Sequence, residues 1–151
     1  KYDKIVKNTK SLEIENSRKE GLAIHYYFEN IKYAGEEERY FARSQVFQKY
    51  GNMLGKSKLE EIFKRADNFI FGNKELFYKT WEVFNEFEIT DGVTGEVFRI
   101  DKLLLDRTGK KAVILDFKSG EIHNQEQILK YEKILKEKLP DYDFRKEFIR
   151  L

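Results

Sequence analysis

The stretch from 96 to 118, "EVFRIDKLLLDRTGKKAVILDFK", contains the clearest structural pattern in the chain. Two runs of apolar residues flank the turn sequence "RTGK", and this pattern is typical of a β-hairpin. Counting outward symmetrically from the turn places Asp101 opposite Asp116. Since residues two apart in a strand point to the same face, Lys118 lies on the same face as Asp116. The hairpin is therefore expected to bring two carboxylates and an ammonium group together at one end of a small sheet.

The rest of the chain predicts helices first and strands second. Apolar periodicity indicates helices over about 18–34, 36–50, 57–71 and 124–139, and strands over 81–89, 96–106, 111–120 and 142–151. Two capping boxes, Ser17 with Glu20 and Ser57 with Glu60, are expected to begin the first and third helices. The first fifteen residues are polar and show no clear period. The chain 1–151 is therefore expected to be a single domain of the α/β (α+β) class.

Composition excludes several classes of protein. Apolar residues make up 40% of the 151 residues and charged residues 37%, with 13 Phe and 9 Tyr, which is too aromatic for disorder and too charged for a membrane protein. The absence of cysteine excludes disulfides, cysteine zinc sites and iron–sulfur clusters, and it fits a cytoplasmic location. The net charge of +2 does not by itself predict a nucleic-acid partner. The chain begins with Lys and shows no signal peptide, so we expect a domain excised from a longer protein.

The segment "GNMLGKS" at 51–57 resembles a phosphate-binding P-loop, but it does not fit that motif. The P-loop needs four residues between its glycines and a strand before it, whereas this segment has three residues and follows a predicted helix. The segment is therefore expected to be the end of one helix and the start of the next, and no nucleotide-hydrolysing site is predicted.

The paired carboxylates of the hairpin predict chemistry. Two neighbouring carboxylates repel unless one takes a proton, a lysine pairs with both, or a divalent cation lies between them. Carboxylate oxygens suit Mg²⁺ or Mn²⁺, and a lysine beside such a cation can orient a water molecule for phosphodiester hydrolysis. A single Asp-x-Lys sequence is more typical of a surface salt bridge at a strand end, so the order of the other motifs decides the interpretation.

Five short elements follow one another along the chain. They are Gly21 and His25 in "GLAIHYYFENI", Glu86 on the first strand with Glu88 as its rival, Asp101 in "FRIDK", Asp116 and Lys118 in "DFKSG", and Gln127 and Tyr131 in "QILKY". In this order, they resemble the RecB-like nucleases of the PD-(D/E)XK superfamily, which are fused to AddA- and RecB-type helicases. The resemblance implies a restriction-endonuclease-like core, in which a small mixed sheet with an antiparallel three-strand meander is flanked by helices.

The resemblance also implies a function and a role for each residue. The function would be metal-dependent cutting of single- or double-stranded DNA, as an exonuclease, by a module that serves a helicase in the same chain or complex during repair and recombination. The implied ligands of Mg²⁺ or Mn²⁺ are His25, Asp101, Asp116 and the backbone carbonyl of Phe117. Lys118 would position or activate the attacking water, and Glu86 would support the site. Gln127 and Tyr131 would line the DNA path or order the site. Asp101, Asp116, Lys118 and Glu86 are thus the implied catalytic residues.

The chain departs from the family pattern at two positions. Phe98 stands where the family usually has Gly, and Lys102 stands where Arg is common, so the local strand geometry is expected to differ. The lack of cysteine fits the AddA-like type without a cluster. Scattered lysines near the site, such as Lys102, Lys110 and Lys111, are expected to form any DNA track.

Alternatives remain open at the level of the sequence. The chain could be a non-catalytic DNA-binding or scaffolding domain of the same fold, although such relatives often lose the acidic and lysine positions that are present here. It could also be a stand-alone or CRISPR-associated RecB-like exonuclease. For individual residues, His25 could be a core histidine and Tyr131 could serve packing alone.

Overall fold

The computed structural model describes residues 2–118 and 125–150, with side chains for 15–117 and 126–150. Its elements are α1 (Tyr2–Glu29), α2 (Glu36–Leu54), α3 (Lys56–Gly72), a short 3-10 helix (Lys74–Phe77), β1 (Glu82–Thr90), β2 (Val97–Asp106), β3 (Lys111–Lys118), α4 (Gln125–Lys138) and β4 (Asp143–Arg150). This order of helices, three strands, a helix and a strand confirms the predicted α+β class. None of the helices in the described part of the chain combines the length and the hydropathy needed to cross a bilayer.

The four strands form one mixed sheet in the order β1-β2-β3-β4. β1, β2 and β3 are antiparallel, as the meander predicts, and β4 runs parallel to β3. The β2–β3 register runs from Asp106 opposite Lys111 to Lys102 opposite Leu115. This is the symmetric register predicted from the turn, and its next step would set Asp101 against Asp116.

Helices cover both faces of the sheet. Val113, Leu115 and Phe117 of β3 belong to the core formed with α1, α2 and α3. Ala112 and Ile114 of the same strand belong to a second core, formed with α4. Because side chains alternate along a strand, Asp116 falls on the face of Ala112 and Ile114, while its neighbour Phe117 reaches the helical layer. Neighbouring side chains at the end of β3 therefore face opposite helical layers, the layer of α1, α2 and α3 on one side and α4 on the other.

The ends of the first helix differ from the prediction. α1 begins at Tyr2 instead of Ser17 and ends at Glu29 instead of at 34, so Ser17 lies within the helix. No glycine or proline precedes Gly21 to stop a helix that extends backwards from its packed portion. At the other end, the Glu38 carboxylate accepts hydrogen bonds from the backbone N–H groups of residues 32, 33 and 34, and this holds the chain in a turn.

The P-loop-like segment is a junction of two helices, as predicted. Gly51 lies within α2, and Gly55 both ends α2 and precedes α3. Gly55 has a φ of +78°, which glycine adopts without strain. The capping box predicted at Ser57 is wrong, since Ser57 is already inside α3 and no side chain caps its first turn.

Candidate metal centre and adjoining cleft

Three side chains from three elements meet at one edge of the sheet. His25 of α1, Glu86 of β1 and Asp101 of β2 each offer a ligand atom, and these atoms all lie within 4.8 Å of one another. The His25 Nδ1 atom is 3.4 Å from Oδ1 of Asp101. Within the part of the chain that the structure describes, this is the one group of three or more His, Cys, Asp or Glu side chains with such spacing. All three residues are partly buried, so the cluster is reachable from solvent.

Aromatic packing sets the position of His25. Phe28 lies three residues later on the same side of α1, and its ring stacks on Phe117 of β3 with 4.2 Å between ring centroids. The His25 imidazole makes an edge contact with the same Phe117 ring at 6.4 Å. Since Phe117 is buried in the core, α1 is held against β3 next to the predicted acid Asp116.

A local distortion of β1 turns Glu86 toward this cluster. Glu86 has a φ of +50°, and it is missing from the paired residues of β1 and β2, although its neighbours on both sides are paired. Phe84 and Phe87 both pack against the core beneath α4, so the alternation of faces breaks between them. A left-handed conformation costs a residue with a side chain about 1–3 kcal/mol, and such strain is concentrated at functional sites.

Asp101 is the most heavily hydrogen-bonded member of the cluster. Its Oδ2 accepts from the backbone N–H of Phe117 at 2.8 Å. Burial alone would raise its pKa, but hydrogen bonds with His25, Asp116 and Phe117 outweigh burial and hold the pKa of Asp101 below its ordinary value. The buried Asp116 therefore lies beside Asp101 in this network. Asp116 is 4% exposed.

The other two members of the cluster carry opposite effects of burial. Burial would lower the pKa of His25, but Asp101, Glu86 and the backbone of Phe117 raise it above its ordinary value. Only an acceptor favours the charged imidazole, so the Phe117 group involved is its carbonyl. Burial raises the pKa of Glu86, and the charges of Asp101 and Glu29 raise it further, against His25 and Arg99. The charges of the three side chains therefore shift one another's pKa values.

The donor set fits a small divalent cation. Ligand atoms at about 2.1 Å from an octahedral ion are separated by about 3.0 Å when adjacent and about 4.2 Å when opposite. The three ligand atoms lie within 4.8 Å of one another, an upper limit slightly wider than the separation of opposite ligands. Carboxylates suit both Mg²⁺ and Mn²⁺, and the imidazole nitrogen favours Mn²⁺ because Mg²⁺ prefers oxygen. The structure thus brings His25 and Asp101 together with Glu86, and it places Asp116 beside Asp101 but outside this group.

The remaining predicted residues lie around this centre. The side chain of Lys118 is outside the described residues, although its backbone ends β3. Gln127 lines a separate small cleft of about 180 Å³ with Phe98 and Lys130. Tyr131 is buried, and its hydroxyl donates to the backbone carbonyl of Arg99 at 3.1 Å. Tyr131 therefore orders β2 next to Asp101.

The rival acid Glu88 lies away from the centre. Its side chain is 63% exposed and pairs with Arg99, with 3.4 Å between the charged atoms. Glu86, in contrast, is 19% exposed and lies in the three-residue group. The structure therefore places Glu86 and not Glu88 where an acid could support a metal ion.

A cleft of about 400 Å³ opens beside the centre. One face of α1 lines it with residues at helical spacing, and α2 and the strands form the other walls; the lining residues are Arg18, Gly21, Leu22, His25, Tyr26, Glu29, Lys49, Tyr50, Glu86 and Arg99. Three of these side chains are cations that the sequence motifs did not single out: Arg18, Lys49 and Arg99. Lys49 lies over the Tyr26 ring at 4.4 Å. An acidic centre next to a cationic wall is suited to a phosphodiester and a divalent ion together.

The expectation that Lys102 contributes to a DNA track is wrong. Its side chain is completely buried and points to the carboxyl end of α1, where it donates to the backbone carbonyl of Ile31. Lys110 is exposed but pairs with Asp141. The cations that line the cleft beside the centre are Arg18, Lys49 and Arg99. The spacing of Arg18, Leu22 and His25 on one helix face was the signal that could have identified the first of them.

No protein-family model matches the chain, and no curated protein and no solved structure is significantly similar to it. The resemblance to RecB-like nucleases consequently rests on the five motifs and stays a prediction. The chemistry of the site has to be argued from its own geometry.

Proposed function

We propose that the chain is a divalent-metal-dependent deoxyribonuclease that hydrolyses phosphodiester bonds, acting as an exonuclease. The observation that carries this proposal is the convergence of His25, Glu86 and Asp101 at the edge of a cleft lined by Arg18 and Lys49. A bound Mg²⁺ or Mn²⁺ would supply a Lewis acid that polarises a phosphoryl oxygen. The larger context of a helicase–nuclease, acting in DNA repair or recombination in the cytoplasm, belongs to the same proposal.

The chain's own residues divide the work between holding the metal and holding the substrate. His25, Glu86 and Asp101 would hold the ion, with the Phe117 carbonyl beside them. Asp116, which is buried and hydrogen-bonded to Asp101, would keep Asp101 in place. Lys118, the last residue of β3, is proposed to orient the attacking water, as the family motif implies.

The cationic wall would bind the substrate. Exposed lysine and arginine side chains neutralise phosphates and release counterions, and this makes binding strong at low salt and weak at high salt. Arg18 and Lys49 lie on two different helices that face the centre, so they could contact phosphates that flank the one being cut. Arg99 reaches the same cleft and forms an ion pair with Glu86, with 3.8 Å between the charged atoms.

The order of secondary structure also supports the proposal. A helix that carries the histidine precedes a three-strand meander that carries three acids, and a helix and a parallel strand follow. This order agrees with the mixed sheet and three-strand meander that the resemblance implies. It supports the resemblance without depending on any single motif.

The first experiment is degradation of end-labelled single- and double-stranded DNA with Mg²⁺ or Mn²⁺. Wild type should cut, and Glu86→Gln and Asp101→Asn should lose more than a hundredfold in rate, because each removes a charge from the ligand set. Glu88→Gln is the matched control, since Glu88 lies on the same strand as Glu86 and is exposed; it should cut at the rate of wild type. A closed circular substrate tests for exonuclease action, which needs an end.

The outcomes separate the alternatives. Metal-dependent cutting that survives Asp101→Asn at full rate would refute the site. DNA binding without cutting by a folded chain, with either metal, would favour the non-catalytic DNA-binding domain. A folded chain that neither binds nor cuts DNA would refute a nucleic-acid function.

A further inference from the structure

A buried lysine joins the sheet to the carboxyl end of α1. Lys102 is 0% exposed, and its Nζ donates to the backbone carbonyl of Ile31 and, at 2.9 Å, to Oδ1 of Asn85. The ring of Phe77 lies 5.7 Å from the same nitrogen. A cation is favoured at the carboxyl end of a helix, where the last carbonyl groups lack helical partners. Burial lowers the pKa of Lys102 to about 7, and the amine can donate both hydrogen bonds in either protonation state.

Asn85 completes the same connection from the neighbouring strand. Its Nδ2 donates to the carbonyl of Glu29 at 3.2 Å and to that of Ile31 at 3.0 Å. Asn85 and Lys102 are direct partners in the β1–β2 register. The two side chains therefore act as one unit across two strands, and this unit ends α1 at a fixed point above the sheet.

Each contact of this unit lies next to a residue of the metal centre. Asn85 precedes Glu86, and Lys102 follows Asp101. Glu29 comes four residues after His25, which is about 6 Å of helix rise. Any shift of α1 along the sheet would thus change the separation of His25 from both acids.

We propose that Lys102 and Asn85 are positioning residues that set the spacing of His25, Glu86 and Asp101 by tying the carboxyl end of α1 to the strands beside the two acids. Neither side chain belongs to the three-residue group, and Lys102 has no exposed surface. It holds the left-handed conformation of Glu86 between a fixed Asn85 and a paired Phe87. This inference concerns the geometry of the centre, and its metal-binding consequence rests on the proposed function.

The test compares wild type with Lys102→Met, which keeps the length of the side chain and removes its hydrogen bonds. Two quantities are measured on the 151-residue chain: the affinity for Mn²⁺ by calorimetry, and hydrogen exchange of the Phe117 amide by NMR without metal. The Phe117 N–H donates to Asp101, so its exchange reports directly on where that carboxylate sits. Residues that orient metal ligands change affinity by about 10- to 100-fold when they are removed.

We expect Lys102→Met to weaken Mn²⁺ binding at least tenfold and to speed the exchange of the Phe117 amide at least tenfold, with little change at Val113 of the same strand. Asn85→Ala should act in the same direction, and it carries the test if Lys102→Met does not fold. Ile62→Val, a conservative change at a buried position of α3, serves as the control for a general loss of stability and should change neither quantity beyond that loss.

Two negative results have different meanings. An unchanged Phe117 exchange rate in both folded variants would overturn the positioning proposal, whatever the metal affinity of wild type. Failure of wild type to bind Mn²⁺ would instead reject the metal centre and the proposed function, while an accelerated Phe117 exchange in the variants would still support the positioning role.

Discussion

Replacing Glu86 with glycine should stabilise the metal-free chain and abolish its stabilisation by metal. The φ of +50° at Glu86 costs a residue with a side chain about 1–2 kcal/mol, and it costs glycine nothing. The greater backbone freedom of glycine in the unfolded chain favours unfolding and cancels about 0.5–1 kcal/mol of the relieved strain. The change also removes a carboxylate whose pKa is raised by burial and by Asp101, so its charge opposes folding. The free energy of unfolding should therefore rise by about 0.5–1 kcal/mol from the backbone alone.

Mn²⁺ should reverse the order of stability. A ligand that binds only the folded state adds about 2.7 kcal/mol at one hundred times its Kd. Wild type should gain this amount, whereas the glycine variant lacks one of the three ligands and should gain little. Wild type would then exceed the variant by about 1.7–2.2 kcal/mol, which corresponds to roughly 3–9 °C in Tm for a domain of this size.

Urea unfolding followed by circular dichroism, with and without Mn²⁺, measures both effects. Ala34→Gly is the matched control, because Ala34 also has a positive φ, of +58°, and carries only a methyl group. It should show the gain from the backbone and a normal response to metal. Glu86→Gln keeps the strain and removes the charge. A metal-free Glu86→Gly chain that is less stable than wild type, or an equal response of both chains to Mn²⁺, would refute this reasoning.

Three other outcomes are expected. Arg18→Ala combined with Lys49→Ala should raise KM for DNA about tenfold at low salt and flatten the salt dependence by about one unit of slope per cation, with kcat nearly unchanged; a loss confined to kcat in steady-state kinetics would contradict the role of the cleft wall. Glu132→Gln should destabilise the chain by about 0.5–1 kcal/mol at pH 7, because Lys136 and Lys146 outweigh burial and lower the pKa of Glu132. A lowered pKa stabilises the folded chain fully only above the ordinary value of 4.5, so thermal unfolding at successive pH values should show the difference in stability vanishing as the pH falls below 4.5. A difference that persists in acid would disprove the assignment. Tyr131→Phe should cost about 1 kcal/mol in urea unfolding through the lost hydrogen bond to Arg99 and should leave KM unchanged, whereas a raised KM would place Tyr131 on the DNA path.

The hairpin was predictable because its determinants are local. The turn sequence and the alternation of apolar residues set the β2–β3 register, and the structure pairs Asp106 with Lys111 and Lys102 with Leu115 accordingly. The helix junction at Gly55 follows from equally local rules. Interactions within a few residues suffice for both features.

The position of Lys102 was not predictable in this way. Its acceptor, the Ile31 carbonyl, is 71 residues earlier in the chain. The sequence around Lys102 does not distinguish it from an ordinary charged residue of a strand. The same holds for the end of α1, which depends on the Glu38 carboxylate binding three backbone amides. Both features arise from packing between helices and sheet, which no local pattern encodes.

Glu86 and Glu88 show most clearly what local reasoning could not decide. Residues two apart in a regular strand share a face, so alternation predicts that both acids lie on the face of the site. The left-handed conformation at Glu86 breaks this equivalence, because it directs one carboxylate to His25 and Asp101 and leaves the other in solvent with Arg99. The conformation is imposed by the anchored neighbours of Glu86, namely Asn85 at the end of α1 and Phe87 in the core beneath α4. Backbone strain in the folded chain therefore determines that Glu86 completes the centre. Binding of a cation has to outweigh the free energy of this strain.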